Sequence, residues 1–118
     1  TGWINEGVSS DYLTIKYTSA LLSTWEKTYD GNGADQGRAI AADGTGIYVT
    51  GISSGEGNDY FTLKYGADGS IIWFARYSAG VQNDRGLAIT VDPTTEDVYV
   101  TGTSASDYMT LRYKQKYN

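Results

Sequence analysis

The chain has 118 residues, a formal net charge of −5, and neither cysteine nor histidine. Without cysteine there can be no disulfide, thiolate nucleophile or cysteine-bound zinc. Without histidine the commonest general base and metal ligand are missing. The nine basic residues form no concentrated patch, which argues against a nucleic-acid partner, and no apolar run approaches the roughly 18 residues of a transmembrane helix.

A seven-residue segment occurs three times along the chain, as Asp11–Tyr17, Asp59–Tyr65 and Asp107–Tyr113, at steps of 48 residues (59 − 11 and 107 − 59). Other residues return at similar steps: Trp25 as Trp73, Tyr29 as Tyr77, Asp35 as Asp84, and the segment Tyr48 to Gly51 as Tyr99 to Gly102. Insertions and deletions fall between the matched segments, as expected of strands joined by surface turns.

The first unit begins at the end of a strand and continues through strands at Tyr12–Tyr17 and Leu22–Tyr29. The middle unit predicts four short strands: Arg38–Asp43, Ile47–Ile52, Tyr60–Tyr65 and Ile71–Tyr77. Turn residues separate them at Asp43-Gly44 and at Ala67-Asp68-Gly69. The third unit ends after three strands, so we expect a partial unit over residues 1–29, a complete one over 36–77 and a partial one over 84–114.

The strands of the middle unit carry bulky groups on both faces. Tyr48 and Thr50 point away from Ile47 and Val49, because successive strand side chains alternate between faces. A sheet with one face in water would instead carry polar side chains on that face. We therefore predict an all-β fold in which four-stranded antiparallel sheets stack face to face around an axis, as the blades of a β-propeller do.

The successive motifs DY-x-T-[IL]-[KR]-Y, W-x-x-x-Y, A-I-x-x-D and [IV]-Y-V-T-G resemble the bacterial β-propeller repeat family, whose members are often seven-bladed. The resemblance covers essentially the whole chain. It implies a scaffold in secreted or cell-surface bacterial proteins, and it brings no catalytic residues and no cofactor.

A closed propeller needs about four to eight blades, and this chain is expected to supply about two. Its outer blade faces must then be covered, either by further blades of a longer chain or by identical chains in a cyclic homo-oligomer. Two blades per chain give six blades in a trimer or eight in a tetramer. In such a ring, Leu22–Tyr29 of one chain would complete the Arg85–Tyr113 blade of its neighbour.

The residues that recur are expected to be structural. Aspartates at the starts of strands can accept turn N–H groups, and those that precede a glycine would fix the connections between blades. Basic residues of the motif would lie over aromatic rings or pair with these aspartates, and the recurring aromatic residues would pack in the core. The set comprises Asp11, Asp59, Asp107, Asp35, Asp84, Lys16, Lys64, Arg112, Trp25, Trp73, Tyr48 and Tyr99.

Residues that break the repeat are better candidates for function. Trp3 aligns with Ile52 and Thr103, so the repeat does not require an indole there. We predict that Trp3 lies in a loop from Trp3 to Ser10 and stacks on a sugar ring or, more simply, fills space beside the neighbouring blade. The loop from Ser53 to Asn58 would share the same rim, which gives the candidate ligand-binding residues Trp3, Asn5, Glu6, Glu56 and Asn58.

A metal site and a catalytic site are both disfavoured. The segment Asp30 to Asp35 has oxygen-bearing residues at alternate positions, as a calcium loop does, with Asp30, Asn32 and Asp35 as candidates. Ala34 stands where a ligand is needed and no closing glutamate follows, so a plain turn is favoured. We expect no enzyme. The function predicted is a non-catalytic scaffold that binds a protein partner, or alternatively a lectin-like carbohydrate binder.

Overall fold

The computed structural model describes residues 1–6, 9–31, 33–54, 57–80 and 83–115, and these residues form ten β-strands in three antiparallel sheets. The N-terminal sheet contains β1 (Gly2–Glu6), β2 (Ser9–Tyr17) and β3 (Ser23–Tyr29). The middle sheet contains β4 (Asp35–Asp43), β5 (Gly46–Ser54), β6 (Asn58–Tyr65) and β7 (Ile71–Tyr77). The C-terminal sheet contains β8 (Asp84–Val91), β9 (Val98–Ser104) and β10 (Asp107–Tyr113).

Each sheet is a meander, in which strands that follow one another along the chain also pair with one another. The prediction of an all-β fold with antiparallel sheets is confirmed. Among the described residues there is no helix that could cross a membrane. The sheets succeed one another along the chain, so that the middle sheet contacts the other two.

In the middle sheet, β4, β5 and β6 are longer than the sequence predicts, whereas β7 has the predicted bounds. β3 of the N-terminal sheet begins one residue later than predicted. β4 begins at Asp35, and its pairing with β5 passes through an irregularity between Gly37 and Ala39. Such a bulge lets pairing continue past a residue that does not fit the ladder. The predicted loop from Trp3 to Ser10 is wrong, because Trp3 lies in β1 and pairs with Tyr12 of β2.

The predicted loop from Ser53 to Asn58 is wrong for the same reason. Ser53 and Ser54 belong to β5, and Asn58 pairs with Ser54 at the start of β6. Small polar residues indicated loops, but a hairpin can extend its ladder into them, since each added pair satisfies backbone N–H and C=O groups.

The middle sheet is buried on both faces, as the sequence predicts. Towards the N-terminal sheet it presents a cluster in which Val49, Phe61, Leu63 and Tyr65 pack around Tyr12. Towards the C-terminal sheet, Tyr48 and Tyr60 pack against Val98 and Val100. All of these side chains are at most 2% exposed. The core is therefore two separate layers of side chains, one on each side of the middle sheet.

Glycines permit the close approach of β5 to its neighbours. A Cβ atom added at Gly51 would overlap the carbonyl oxygen of Gln36 and would lie 2.8 Å from the hydroxyl of Tyr12. At Gly44, in the turn between β4 and β5, an added Cβ would meet nothing within 4 Å. Gly51 is therefore crowded and Gly44 is not, although the two glycines are close together along the chain.

We predict that Gly51→Ala lowers the free energy of unfolding by at least about 2 kcal/mol, because the new methyl group must displace backbone atoms in a packed region. Gly44→Ala is the matched control and should change stability by less than about 0.5 kcal/mol. Urea denaturation followed by tryptophan fluorescence measures both. Equal effects of the two substitutions would contradict the close approach at Gly51.

Candidate functional site

The middle sheet packs against the N-terminal sheet at a first junction and against the C-terminal sheet at a second. An equivalent hydrogen bond joins the sheets at both junctions. At the first junction the Tyr12 hydroxyl donates to the carbonyl oxygen of Phe61 across 3.0 Å, from the N-terminal sheet to the middle sheet. At the second junction the Tyr60 hydroxyl donates to the carbonyl oxygen of Met109 across 2.8 Å. Both tyrosines are fully buried. Because Tyr60 follows Tyr12 by one repeat, and Met109 likewise follows Phe61, the second junction repeats the first.

A glycine and a threonine complete each junction. A Cβ atom at Gly102 would lie 2.9 Å from the Tyr60 hydroxyl, just as one at Gly51 would crowd Tyr12. The threonine before each glycine donates its hydroxyl to the same carbonyl oxygen, from Thr50 to Phe61 and from Thr101 to Met109, at 3.4 Å in both cases. The threonine and glycine of the YVTG segment therefore lie beside the carbonyl oxygen that binds the tyrosine of the preceding sheet.

The tyrosine hydroxyls are held in their protonated form. Burial raises the pKa of Tyr60 to about 12, and the nearby carboxylate of Asp84 acts in the same direction. Burial likewise raises the pKa of Tyr12, with a further contribution from Asp35. A neutral hydroxyl is what the junction requires, because only the protonated oxygen can donate to a carbonyl group.

A second contact recurs at the outer strands of the sheets. The indole N–H of Trp25 and the ammonium group of Lys16 both donate to the carbonyl oxygen of Ala67, each across 3.0 Å. One repeat later, Trp73 and Lys64 both donate to the side-chain oxygen of Gln115, across 3.1 Å and 2.9 Å.

Gln115 follows Ala67 by 48 residues, so a side-chain amide takes the place of a backbone carbonyl. Trp25 and Trp73 are therefore engaged in contacts between sheets. The ammonium group of Lys64 also lies 5.1 Å from the ring centroid of Tyr48, in a cation–π contact.

Buried aspartates fix the segments that connect the sheets. Asp35 accepts the backbone N–H of Gly31 across 2.6 Å and the hydroxyl of Ser53, and Asp84 accepts the backbone N–H of Ala79 across 2.7 Å. Both aspartates are fully buried. Each one ties its own strand to the connection that leads into it, which limits how far one sheet can move relative to the next.

The aspartates of the DY motif are in different surroundings. Asp59 forms an ion pair with Arg76 of β7 across 2.9 Å. Asp107 is exposed, and the C-terminal sheet has no described strand in the position of β7. Arg112 pairs with Asp97 at the start of β9 and not with an aspartate of the motif. The basic residue of the DY motif, which is Lys16, Lys64 or Arg112, therefore has a different partner in each repeat.

The carboxylates of Asp11, Asp30 and Asp35 approach one another, with one oxygen from each within 4.8 Å of the others. Within the described ranges this is the one group of three acidic residues with that spacing. Asn32, the remaining candidate for a calcium loop, lies outside the described residues. Both carboxylate oxygens of Asp35 already accept hydrogen bonds from the protein, in keeping with a structural turn.

The candidate ligand-binding residues are only partly gathered by the fold. Trp3 is 47% exposed, and the guanidinium carbon of Arg38 lies 5.0 Å from its ring centroid. Asn58 lies 3.5 Å from the hydroxyl of Ser54 in its own hairpin. Asn5 and Glu6 belong to β1, but their side chains lie outside the described part of the chain, as does Glu56 altogether.

Reasoning from the sequence missed the hydrogen bonds at the junctions, although a signal for them was present. The tyrosine of the DY motif and the glycine of the YVTG motif return together in each repeat, which indicates that they serve one purpose. Gln115 and Arg76 were missed because neither recurs as the same residue type. The chain matches no family model and no curated protein sequence.

We predict that Tyr60→Phe destabilises the chain by about 1 kcal/mol at pH 7, the usual net value of one hydrogen bond. The difference from the unsubstituted chain should shrink above about pH 10. There the tyrosine of the unfolded chain ionises while folded Tyr60 keeps its proton up to about pH 12, so the unsubstituted chain loses stability as pH rises. Denaturant unfolding from pH 7 to 11.5 measures this. Parallel curves for the two proteins would contradict the raised pKa.

Proposed function

We propose that the chain is a set of β-propeller blades that acts as a non-catalytic scaffold and interaction module. The observation that carries the proposal is the repeated junction, in which a tyrosine hydroxyl of one sheet binds the backbone of the next sheet beside a glycine. Two copies of one junction in a single chain are what stacked blades require, because each blade must present the same pair of faces.

The recurring polar residues support a scaffold. Asp35, Asp84, Lys16 and Lys64 all engage groups that hold sheets or connections together. The chain contains no histidine or cysteine, so nucleophilic catalysis would lack its commonest participants. The resemblance of the repeat extends the proposal to a secreted or cell-surface bacterial protein.

Carbohydrate binding is the second candidate, and the exposure of Trp3 favours it. Trp25 and Trp73 donate their indole N–H groups within the protein, whereas Trp3 is half exposed, with the guanidinium group of Arg38 over one face of its ring. An exposed indole beside a hydrogen-bond donor can stack on a sugar ring and contact its hydroxyl groups.

A glycan array separates the two candidates. We expect the chain to bind no glycan above background, because the scaffold needs no sugar site. Binding that falls about tenfold or more in Trp3→Ala, and that persists in Trp25→Phe, would contradict the scaffold and support a lectin. The second variant is the matched control, since it changes a tryptophan that contacts the next sheet. Circular dichroism of each variant verifies that the fold is retained.

A further inference from the structure

The two outer faces of the stack carry the separate halves of the junction. On the C-terminal sheet, Tyr108 is the third tyrosine of the DY motif, and it points away from the protein. Tyr12 and Tyr60 are fully buried, whereas Tyr108 is 93% exposed. Tyr99 and Thr110 lie on the same face and correspond by the repeat to Tyr48 and Thr62, which are buried at the second junction.

The N-terminal sheet carries the complementary half. Leu13 corresponds to Phe61 and Met109, and its carbonyl oxygen accepts the hydroxyl of Thr1 across 3.2 Å, in the manner of Thr50 and Thr101 at the junctions. A Cβ atom added at Gly2 would meet nothing within 4 Å. At the corresponding Gly51 and Gly102, such an atom would meet a tyrosine hydroxyl. The space for that hydroxyl is thus present and open beside Gly2.

Apolar side chains surround this open space. Leu13, Ile15 and Tyr17 share the outward face of β2, and they correspond to Phe61, Leu63 and Tyr65 of the middle sheet. A covering sheet strongly reduces the exposure of these positions. Tyr65, which the N-terminal sheet covers, is 1% exposed, whereas the equivalent Tyr17 is 55% exposed. The N-terminal face is therefore apolar at the positions that correspond to the surface on which the middle sheet receives Tyr12.

We propose that two copies of this chain dock head to tail, with the C-terminal sheet of one copy against the N-terminal sheet of the other. The Tyr108 hydroxyl of one copy then donates to the Leu13 carbonyl of the second copy beside its Gly2. The proposal rests on the proposed function, because it treats the outer faces as blade faces. The occupant is a second copy because this chain itself contains both halves of a junction that it already forms twice.

The number of sheets sets the number of copies. The described residues of one copy form three sheets, so two copies give six, within the range of about four to eight blades that closes a propeller, whereas three copies give nine. The expected trimer or tetramer assumed two blades per chain, and the mass of the chain in solution separates it from the dimer. In the dimer, β3 (Ser23–Tyr29) stays paired with β2 of its own chain, whereas the expected ring has residues 22–29 complete the sheet of a neighbour.

The area buried by such a dimer is large enough for a stable interface. A face of three strands, each of seven residues, covers roughly 23 Å by 14 Å, or about 330 Å², from the usual rise and spacing of strands. A cyclic dimer has two identical junctions and so buries four faces. The total of about 1,300 Å² falls within the range of stable protein interfaces.

Light scattering on a sizing column tests the proposal. The chain should have twice its mass of 12.8 kDa. Tyr108→Asp places a charge on the C-terminal face, and Gly2→Leu fills the space for the tyrosine on the N-terminal face. Each variant alone should have the mass of one copy, because both junctions of the dimer then contain an altered face. An equimolar mixture should recover the dimer, because one junction in each mixed pair keeps two unaltered faces.

Leu21→Asp is the matched control. Leu21 is 81% exposed but lies in the turn between β2 and β3, outside the strands that form the two faces, so this variant should remain a dimer. Tyr108 is 93% exposed and a Cβ atom at Gly2 would meet nothing within 4 Å, so both variants should keep the circular dichroism spectrum of the unsubstituted chain.

Three results would overturn the docking: a mass of one, three or four copies for the unsubstituted chain, dimers of either variant alone, or a mixture that stays monomeric. A folded monomer with a silent glycan array would refute the docking and leave the scaffold proposal standing. A dimer that binds glycans through Trp3 would refute the scaffold proposal and leave the docking standing.

Discussion

Crowding at Gly51 and Gly102 is the most demanding constraint in the structure, because an added Cβ atom there would overlap a carbonyl oxygen of the paired strand in the same sheet and would also meet a tyrosine hydroxyl of the preceding sheet. Because no side chain occupies these positions, a tyrosine from the preceding sheet can bring its hydroxyl to the backbone of the next sheet. The aromatic rings then fill the space between the sheets. Burial of those rings supplies the hydrophobic stabilisation, and the hydroxyl-to-carbonyl bond satisfies a polar group that would otherwise be buried without a partner.

Burial of the middle sheet on both faces follows from this arrangement and explains why the chain has two core layers. The first layer packs aromatic residues of both sheets together, such as Tyr12 with Phe61, and the second packs Tyr60 against Val98 and Val100. The contacts at the outer strands and at the buried aspartates are added to these layers and fix the rotation of one sheet relative to another.

The repeat made much of the fold predictable. It indicated the strands, the burial of both faces and the structural use of Trp25, because residues that return in order must meet similar surroundings. It could not reveal the partners of those residues. Lys16 binds a backbone carbonyl, Lys64 binds the side chain of Gln115 and Arg112 binds Asp97; such choices depend on three-dimensional geometry. The hairpin ends were predicted as loops because glycine, serine and asparagine are common both in turns and at the ends of paired strands.

A double-mutant cycle between Tyr12 and Gly51 is the most direct measurement of the central claim, that a tyrosine hydroxyl occupies the space left by a glycine across the junction. The account predicts that Gly51→Ala costs less stability in a Tyr12→Phe background than in the unsubstituted chain, by about 0.5 kcal/mol or more, because removal of the hydroxyl relieves part of the crowding. Strictly additive effects on the free energy of unfolding would contradict it.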